Sequence, residues 1–345
     1  MPSHDFHDFC SSFPQATPAC AYNRRMDKET GSDATLPFEE ARLDSGDGHR
    51  LWHAERGSRN GTALFWLHGG PGSGASLRHA ALIDPARFRL VLMDQRGCGR
   101  SEPAGAIHHN SLSLLIDDIE RLRRHLGIGH MMLGGGSWGA TLAICYAARY
   151  PDAVAGLVLR APFLAERDEI SRLFQPLGED DSSWQAFAAL APPGADLLAY
   201  AADQLERNTS EAWALARAWH RHACLRESGR EPGQEMHDDA ALLARYRVQS
   251  HYLRHGCFLD GGAVLDMASR LSMPAAIIHG GADRICSPDN ARRLAARMPR
   301  AALAIVDGAG HDPFHPGMVD ALQVALRSVA QRAYIDRSEE IDARA

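Results

Sequence analysis

The chain lacks the marks of several large protein classes. Its seven cysteines (Cys10, Cys20, Cys98, Cys145, Cys224, Cys257 and Cys286) are scattered, odd in number and form no C-x-x-C pair. That pattern speaks against a disulfide framework or a zinc site and fits a reducing, cytoplasmic location. The longest purely aliphatic run, Ala301 to Val306, is far short of the roughly 20 apolar residues that a membrane span needs. No basic stretch leads into an apolar one near Met1, so no secretory leader is expected. Basic residues form no stripe and the formal net charge is -6, which argues against nucleic acid as a partner. There is no dinucleotide fingerprint, no phosphate-loop lysine and no metal-ligand spacing, so no cofactor or metal is expected. Hydrophobic residues make up 45% and charged residues 23%, an ordinary globular composition that excludes wholesale disorder, collagen and coiled coil.

Residues 1–36 mix serine, proline, histidine and charge without hydrophobic period and read as a poorly ordered tail. The polar stretch 336–345 reads as a second, frayed one. Between them, strand and helix signals alternate. Thr62–Leu67 and Phe88–Met93 are short apolar runs. Leu112, Leu115, Ile116, Ile119, Leu122 and Leu126 trace one helix face, with Asn110 placed to cap its start and Gly127 to close its end. Further strands are expected at 131–133, 157–159, 275–279 and 303–306, and helices at 141–148, 290–298 and 318–333. From 164 to 260 strand signals vanish; alanine, leucine, arginine and acids dominate, with Trp184, Trp213 and Trp219 among them. The expectation is an α/β core, 37–163 and 261–335, built on a mostly parallel sheet with helices on both faces, and a helical cap inserted at 164–260.

Gly135-Gly-Ser137-Trp-Gly139 matches G-x-S-x-G where a strand turns into a helix. Its glycines permit the sharp turn that lifts a serine hydroxyl above the sheet edge. A glycine-rich packing turn is the alternative. A serine needs a base and a group to orient that base. In this architecture they follow as acid, then histidine. Asp283 follows one late strand, in His279-Gly-Gly-Ala-Asp283, and His311 follows the next, in Gly308-Ala-Gly-His311. His68-Gly-Gly-Pro-Gly72 also follows a strand, and its glycines let backbone amides approach an anion. An oxyanion hole is expected between Gly70, with Gly69 as the alternative, and the amide of Trp138. Asp94 to Ser101 reads as a structural loop in which Asp94 and Arg96 tie the chain beneath the oxyanion turn. Cys98 is a weak rival nucleophile beside it. Asn208-Thr-Ser210 is a glycosylation pattern without a secretory context.

His68 to Gly72, Asp94 to Ser101, the helix Asp117 to Gly127, the Gly135 to Gly139 elbow and Gly308 to His311 together resemble the prolyl aminopeptidase (proline iminopeptidase) family of α/β-hydrolases. Asp44 to Arg50 looks like that family's first hairpin. The likeness spans roughly residues 40 to 335. It implies a helical cap over the triad, release of an N-terminal proline from peptides, cap glutamates that bind the free amine and apolar or aromatic side chains around the proline ring. Two positions depart from the pattern. An A-W-x-x-W-E run becomes Ala218-Trp-His-Arg-His-Ala223, and R-I-E-x-H-Y becomes Arg247-Val-Gln-Ser-His-Tyr252. Ala223 and Gln249 thus stand where the family has carboxylates, with Trp219 in the first run. Glu166, Asp168, Glu169 and Glu227 are the other carboxylates in this stretch.

The expected chemistry is acyl transfer to water through Ser137, His311 and Asp283, on a small-molecule or short-peptide substrate. An esterase, lactonase, amide hydrolase or acyltransferase for an uncharged small molecule is the alternative. A non-catalytic binding protein on the same scaffold is the reading from a different class, and one that has no need of a complete triad.

Overall fold

The computed structural model describes residues 37–232 and 238–342. The expected N-terminal tail, 1–36, lies outside the described residues. Eight strands form one sheet: β1 (Glu39–Asp44), β2 (Arg50–Gly57), β3 (Thr62–Leu67), β4 (Phe88–Met93), β5 (Met131–Gly136), β6 (Val154–Arg160), β7 (Ala275–Gly280) and β8 (Ala301–Val306). Their order is β1-β2-β4-β3-β5-β6-β7-β8. β1 and β2 form an antiparallel hairpin, β2 is antiparallel to β4, and the rest run parallel. The parallel strands are apolar along most of their length because both faces are covered. Successive side chains point to opposite faces. Phe65, Leu67, Val91 and Leu133 join one core with helices α1 (Leu112–His125), α2 (Trp138–Arg149) and α9 (Pro288–Arg297). Leu64, Trp66, Leu92 and Met132 join the other with Met318, Leu322 and Leu326 of α10 (Pro316–Asp342). No helix among the described residues is long and apolar enough to cross a membrane.

Between β6 and β7 the chain is helical: α3 (Arg167–Arg172), α4 (Ser182–Ala188), α5 (Leu197–Leu205), α6 (Ser210–Ser228), α7 (Asp239–Arg254) and α8 (Ala263–Ala268). Side chains of Asp181, Asp196, Thr209 and Asp238 cap α4 to α7 by accepting from amides of the first turn, which supplies otherwise orphaned donors with partners. Phe187 stacks on Trp219 at 5.7 Å between ring centres, and Trp219 lies 4.8 Å from Tyr246. This aromatic stack is continuous with the core on the α1, α2 and α9 face of the sheet.

Two expectations need correction. Asn110 does not cap α1. The N-cap is Ser111, while the Asn110 amide donates to the carbonyls of Arg96 and Ala106 and accepts from the Tyr252 hydroxyl. It ties the helical block to the core. Of the stretch 336–345, the part to Asp342 is helical rather than frayed, because α10 runs on to Asp342 and Asp336 pairs with Arg300; residues 343–345 lie outside the described residues. Gly127 does close α1. It sits at φ 65°, and the amide of Ile128 reaches back to the carbonyl of Arg123, a Schellman ending that only a left-handed residue allows cheaply.

Candidate active site

Strands β3, β5, β6 and β7 end level with one another: Leu67 pairs with Gly135, Gly135 with Leu159, and Leu159 with Ile277. The loops that follow these parallel strands therefore gather at one edge, as open α/β sheets place their sites. Ser137 sits between β5 and α2 at φ 56°, ψ -122°, a strained conformation for a residue with a Cβ. The glycines around it allow close backbone approach. A Cβ on Gly139 would fall 2.2 Å from the carbonyl oxygen of Leu67, and one on Gly135 2.6 Å from the Gly139 carbonyl. The elbow is thus pressed against β3, and the turn carries Ser137 to the lining of a cavity.

His311 and Asp283 come from the loops after β8 and β7. Nδ1 of His311 lies 2.7 Å from Oδ2 of Asp283. The other carboxylate oxygen of Asp283 accepts from the amides of Ile285 and Cys286 at 2.8 and 3.0 Å. Burial alone would raise the Asp283 carboxyl. The imidazoles of His311 and His279 outweigh it and hold the group well below the usual carboxylate range. Arg160, at the end of β6, donates to the backbone carbonyl of His311 at 2.7 Å and so fixes the histidine loop from below. Ser137 and His311 open on the same cavity of about 220 Å³.

Gly69, Gly70 and Trp138 line that cavity too. A Cβ on Gly69 would lie 3.3 Å from that of Ser137, so the loop after β3 passes directly beside the serine. The Trp138 amide opens the first turn of α2, where no intrahelical carbonyl is available to it. The tie beneath this loop differs from the expected one. Asp94 does hold chain together, accepting from the amide of Ala75 and from the amide and guanidinium of Arg100. Arg96 instead points to Asp118 and Asp47, joining α1 to the first hairpin. Burial drives the Asp118 carboxyl up to about 6 despite that pairing. The residue that braces the His68–Gly72 turn is Gln95. Its side-chain nitrogen donates to the His68 carbonyl at 3.0 Å, and its oxygen accepts from the Trp138 indole at 2.9 Å. Cys98 faces away, its thiol on the carbonyl of Arg96, with burial pushing the thiol well above its usual range. The sulfur beside the serine is Cys286, whose Sγ lies 3.9 Å from the Ser137 hydroxyl; it too is driven upward by burial.

The far wall of the cavity belongs to α6 and α7. Trp219, Ala223 and Gln249 all line it. Trp219 is also buried in the aromatic stack, with only 3% exposed, so its structural role is evident from packing alone. Of the other carboxylates in the helical stretch, Glu166 pairs with Arg293. Glu169 accepts from the amide of Leu164 and from Asn290. Asp168 is exposed on α3. Among the described residues, Glu227 is the one carboxylate of this stretch that reaches the cavity, at its exposed rim. The same wall carries Arg226 and Arg245, which the sequence offered no reason to single out.

Residues 62–317 match the α/β hydrolase fold family model. The chain is 36% identical over 304 residues to a proline iminopeptidase from Xylella fastidiosa, covering 85% of this chain and 96% of that one. It is 34% identical over 300 residues to a proline iminopeptidase from Arabidopsis thaliana, covering 84% and 79%. Among solved structures, a proline iminopeptidase-related protein from Thermus thermophilus superposes with a TM-score of 0.55 at 25% identity, covering 85% of this chain and 99% of that one.

Proposed function

Since the chain belongs to the proline iminopeptidase family of α/β-hydrolases, we propose that this hydrolase cleaves an ester or amide bond through an acyl-enzyme on Ser137. His311 takes the hydroxyl proton as Ser137 attacks the carbonyl carbon, then gives it to the leaving group. Water then attacks the acyl-enzyme by the same route in reverse. Asp283 orients the imidazole so that Nε2 is free to accept. Amides of Gly70 and Trp138, with Gly69 beside them, stabilise the oxyanion. The stretch 164–260 acts as the cap over this site, and the location is cytoplasmic. The observation that carries the reading is the Asp283–His311 pairing, at 2.7 Å, on the same cavity as a serine held at positive φ.

The acyl group carries no free ammonium in this reading. A buried ammonium needs a carboxylate or several acceptors, and the wall offers Ala223 and a neutral amide at Gln249. Release of an N-terminal proline, the activity in the names of the relatives, is the second reading; Glu227 at the rim favours it as a partner for the amine. A fluorophosphonate probe should form one adduct, on Ser137, and Ser137→Ala should abolish it. Labelling elsewhere would overturn the nucleophile. Comparing kcat/KM for proline 4-nitroanilide and its N-acetyl analogue separates the two readings. Efficient turnover of the free amine, lost on acetylation, would establish the second and defeat the first.

A further inference from the structure

The cavity that Ser137 opens on has the opposite charge from an amine-binding pocket. Arg160 lines it on the sheet side and Arg226 and Arg245 on the far wall, against the single carboxylate of Glu227 among the described residues. Arg160 and Arg226 are buried, at 5% and 8% exposure, so water does little to satisfy them. In each of the three, Nε is buried with no hydrogen-bond partner among the described residues. None of the three pairs with a carboxylate among those residues. Arg160 is committed in part to the His311 carbonyl, and Arg226 to the Gln175 carbonyl at 2.8 Å. Arg245 leans on the Tyr246 ring, 5.5 Å from its centre. Burying charged donors without partners costs several kcal/mol, and an anionic ligand offsets that cost.

The positions are also telling. Arg226 lies three residues beyond Ala223 on α6, and Arg245 four residues before Gln249 on α7. Residues so spaced share a helix face. The faces that lack the two glutamates therefore present guanidinium groups instead. Arg245 is held next to the oxyanion turn by its own backbone, since a Cβ on Gly72 would fall 2.2 Å from the Arg245 carbonyl oxygen. Planar, forked guanidinium groups match carboxylate oxygens two at a time.

We propose that the pocket selects an acyl group bearing a carboxylate, such as the monoester or monoamide of a dicarboxylic acid, with Arg226 and Arg245 as the residues that bind the carboxylate. This rests on the acyl-enzyme reading, because the acyl group of a substrate attacked by Ser137 is what occupies this cavity. Hydrolysis of such a monoamide consumes one water and releases the dicarboxylate and the amine.

The test uses the intact protein and three amides of matched size: glutaramate (anionic), pentanamide (neutral) and prolinamide (cationic). Each is scored by the concentration that halves the rate of fluorophosphonate labelling at Ser137. Glutaramate should protect at a concentration at least tenfold lower than either other amide, and added salt should narrow the gap. Arg226→Gln and Arg245→Gln should each cut the advantage of glutaramate over pentanamide by about tenfold. Thermal unfolding verifies that each variant folds, and Arg245→Lys, which keeps charge but loses the fork, should retain part of the advantage. Equal or better protection by pentanamide or prolinamide, or an advantage that survives both glutamine variants, overturns the inference while leaving the nucleophile intact. Failure to label Ser137 at all overturns the acyl-enzyme reading and this inference with it.

Discussion

Replacing Asp283 by asparagine perturbs one proton. In the native site one carboxylate oxygen accepts from two backbone amides, of Ile285 and Cys286, and the other faces Nδ1 of His311. An asparagine in the same rotamer must turn its carbonyl oxygen to those two amides, because its NH₂ would clash with both donors. The NH₂ then faces His311 and donates to Nδ1. The imidazole proton is forced onto Nε2, the nitrogen that has to accept from Ser137. The site keeps its shape and loses its base. A tautomer error of this kind costs about 10⁴ in kcat, about 5 kcal/mol of transition-state stabilisation at about 1.4 kcal/mol per tenfold. Stability should change little, since the amide retains its bonds to Ile285, Cys286 and His311 and gives up only the longer, 3.4 Å contact with His279. Steady-state kinetics on a neutral nitrophenyl ester, alongside thermal unfolding, measure both quantities. A variant within tenfold of the parent would refute the argument. So would a loss of activity that simply tracks a fall in Tm.

Three further outcomes follow from neighbouring residues. Gln95→Leu leaves the buried Trp138 indole without its acceptor, at about 1–3 kcal/mol, and frees the His68 carbonyl; kcat on the neutral ester should fall more than KM changes, and an unaltered kcat would show that the brace is not needed. Glu169 is pushed up to about 7 by burial from a starting value of 4.5. The fold keeps that proton while the unfolded chain releases it, so stability should decline by about 3 kcal/mol as pH rises from 4.5 to 7. Urea midpoints at several pH values should show this slope flattened in Glu169→Gln, and an identical slope in both proteins would place its origin elsewhere. Installing Ala223→Glu together with Gln249→Glu puts carboxylates beside Arg226 and Arg245. kcat/KM for proline 4-nitroanilide should rise about tenfold or more while that for a neutral ester does not, and no gain would mean that these positions do not govern amine binding.

Much of the site was legible in the sequence because its parts are local. Each of Ser137, Asp283, His311 and Gly70 follows a short apolar run, and chain order alone suggested how they would be combined. The helical stretch could be bounded for the same reason, since strand patterning stops and resumes. Gln95 was not legible. Its two partners, the His68 carbonyl and the Trp138 indole, come from loops after β3 and β5, and they meet only because the sheet runs β4-β3-β5. Cys286 lies three residues past Asp283, yet nothing in that spacing turns its sulfur toward Ser137. Asn110 looked like a cap because capping is judged from the next few residues, whereas its real partners include Tyr252, 142 positions along the chain.

The sequence by itself determined the alternation of strands and helices, the chain order of Ser137, Asp283 and His311, and the absence of a carboxylate at positions 223 and 249. These are properties of a few consecutive residues and need no neighbours. Which charge lines the cavity was decided only by tertiary structure. Arg160, Arg226 and Arg245 sit on a strand and two separate helices, in a chain whose formal net charge is -6. Summed composition is acidic, but electrostatics at a buried site depend on the few groups that packing brings within several ångströms, where little water remains to screen them.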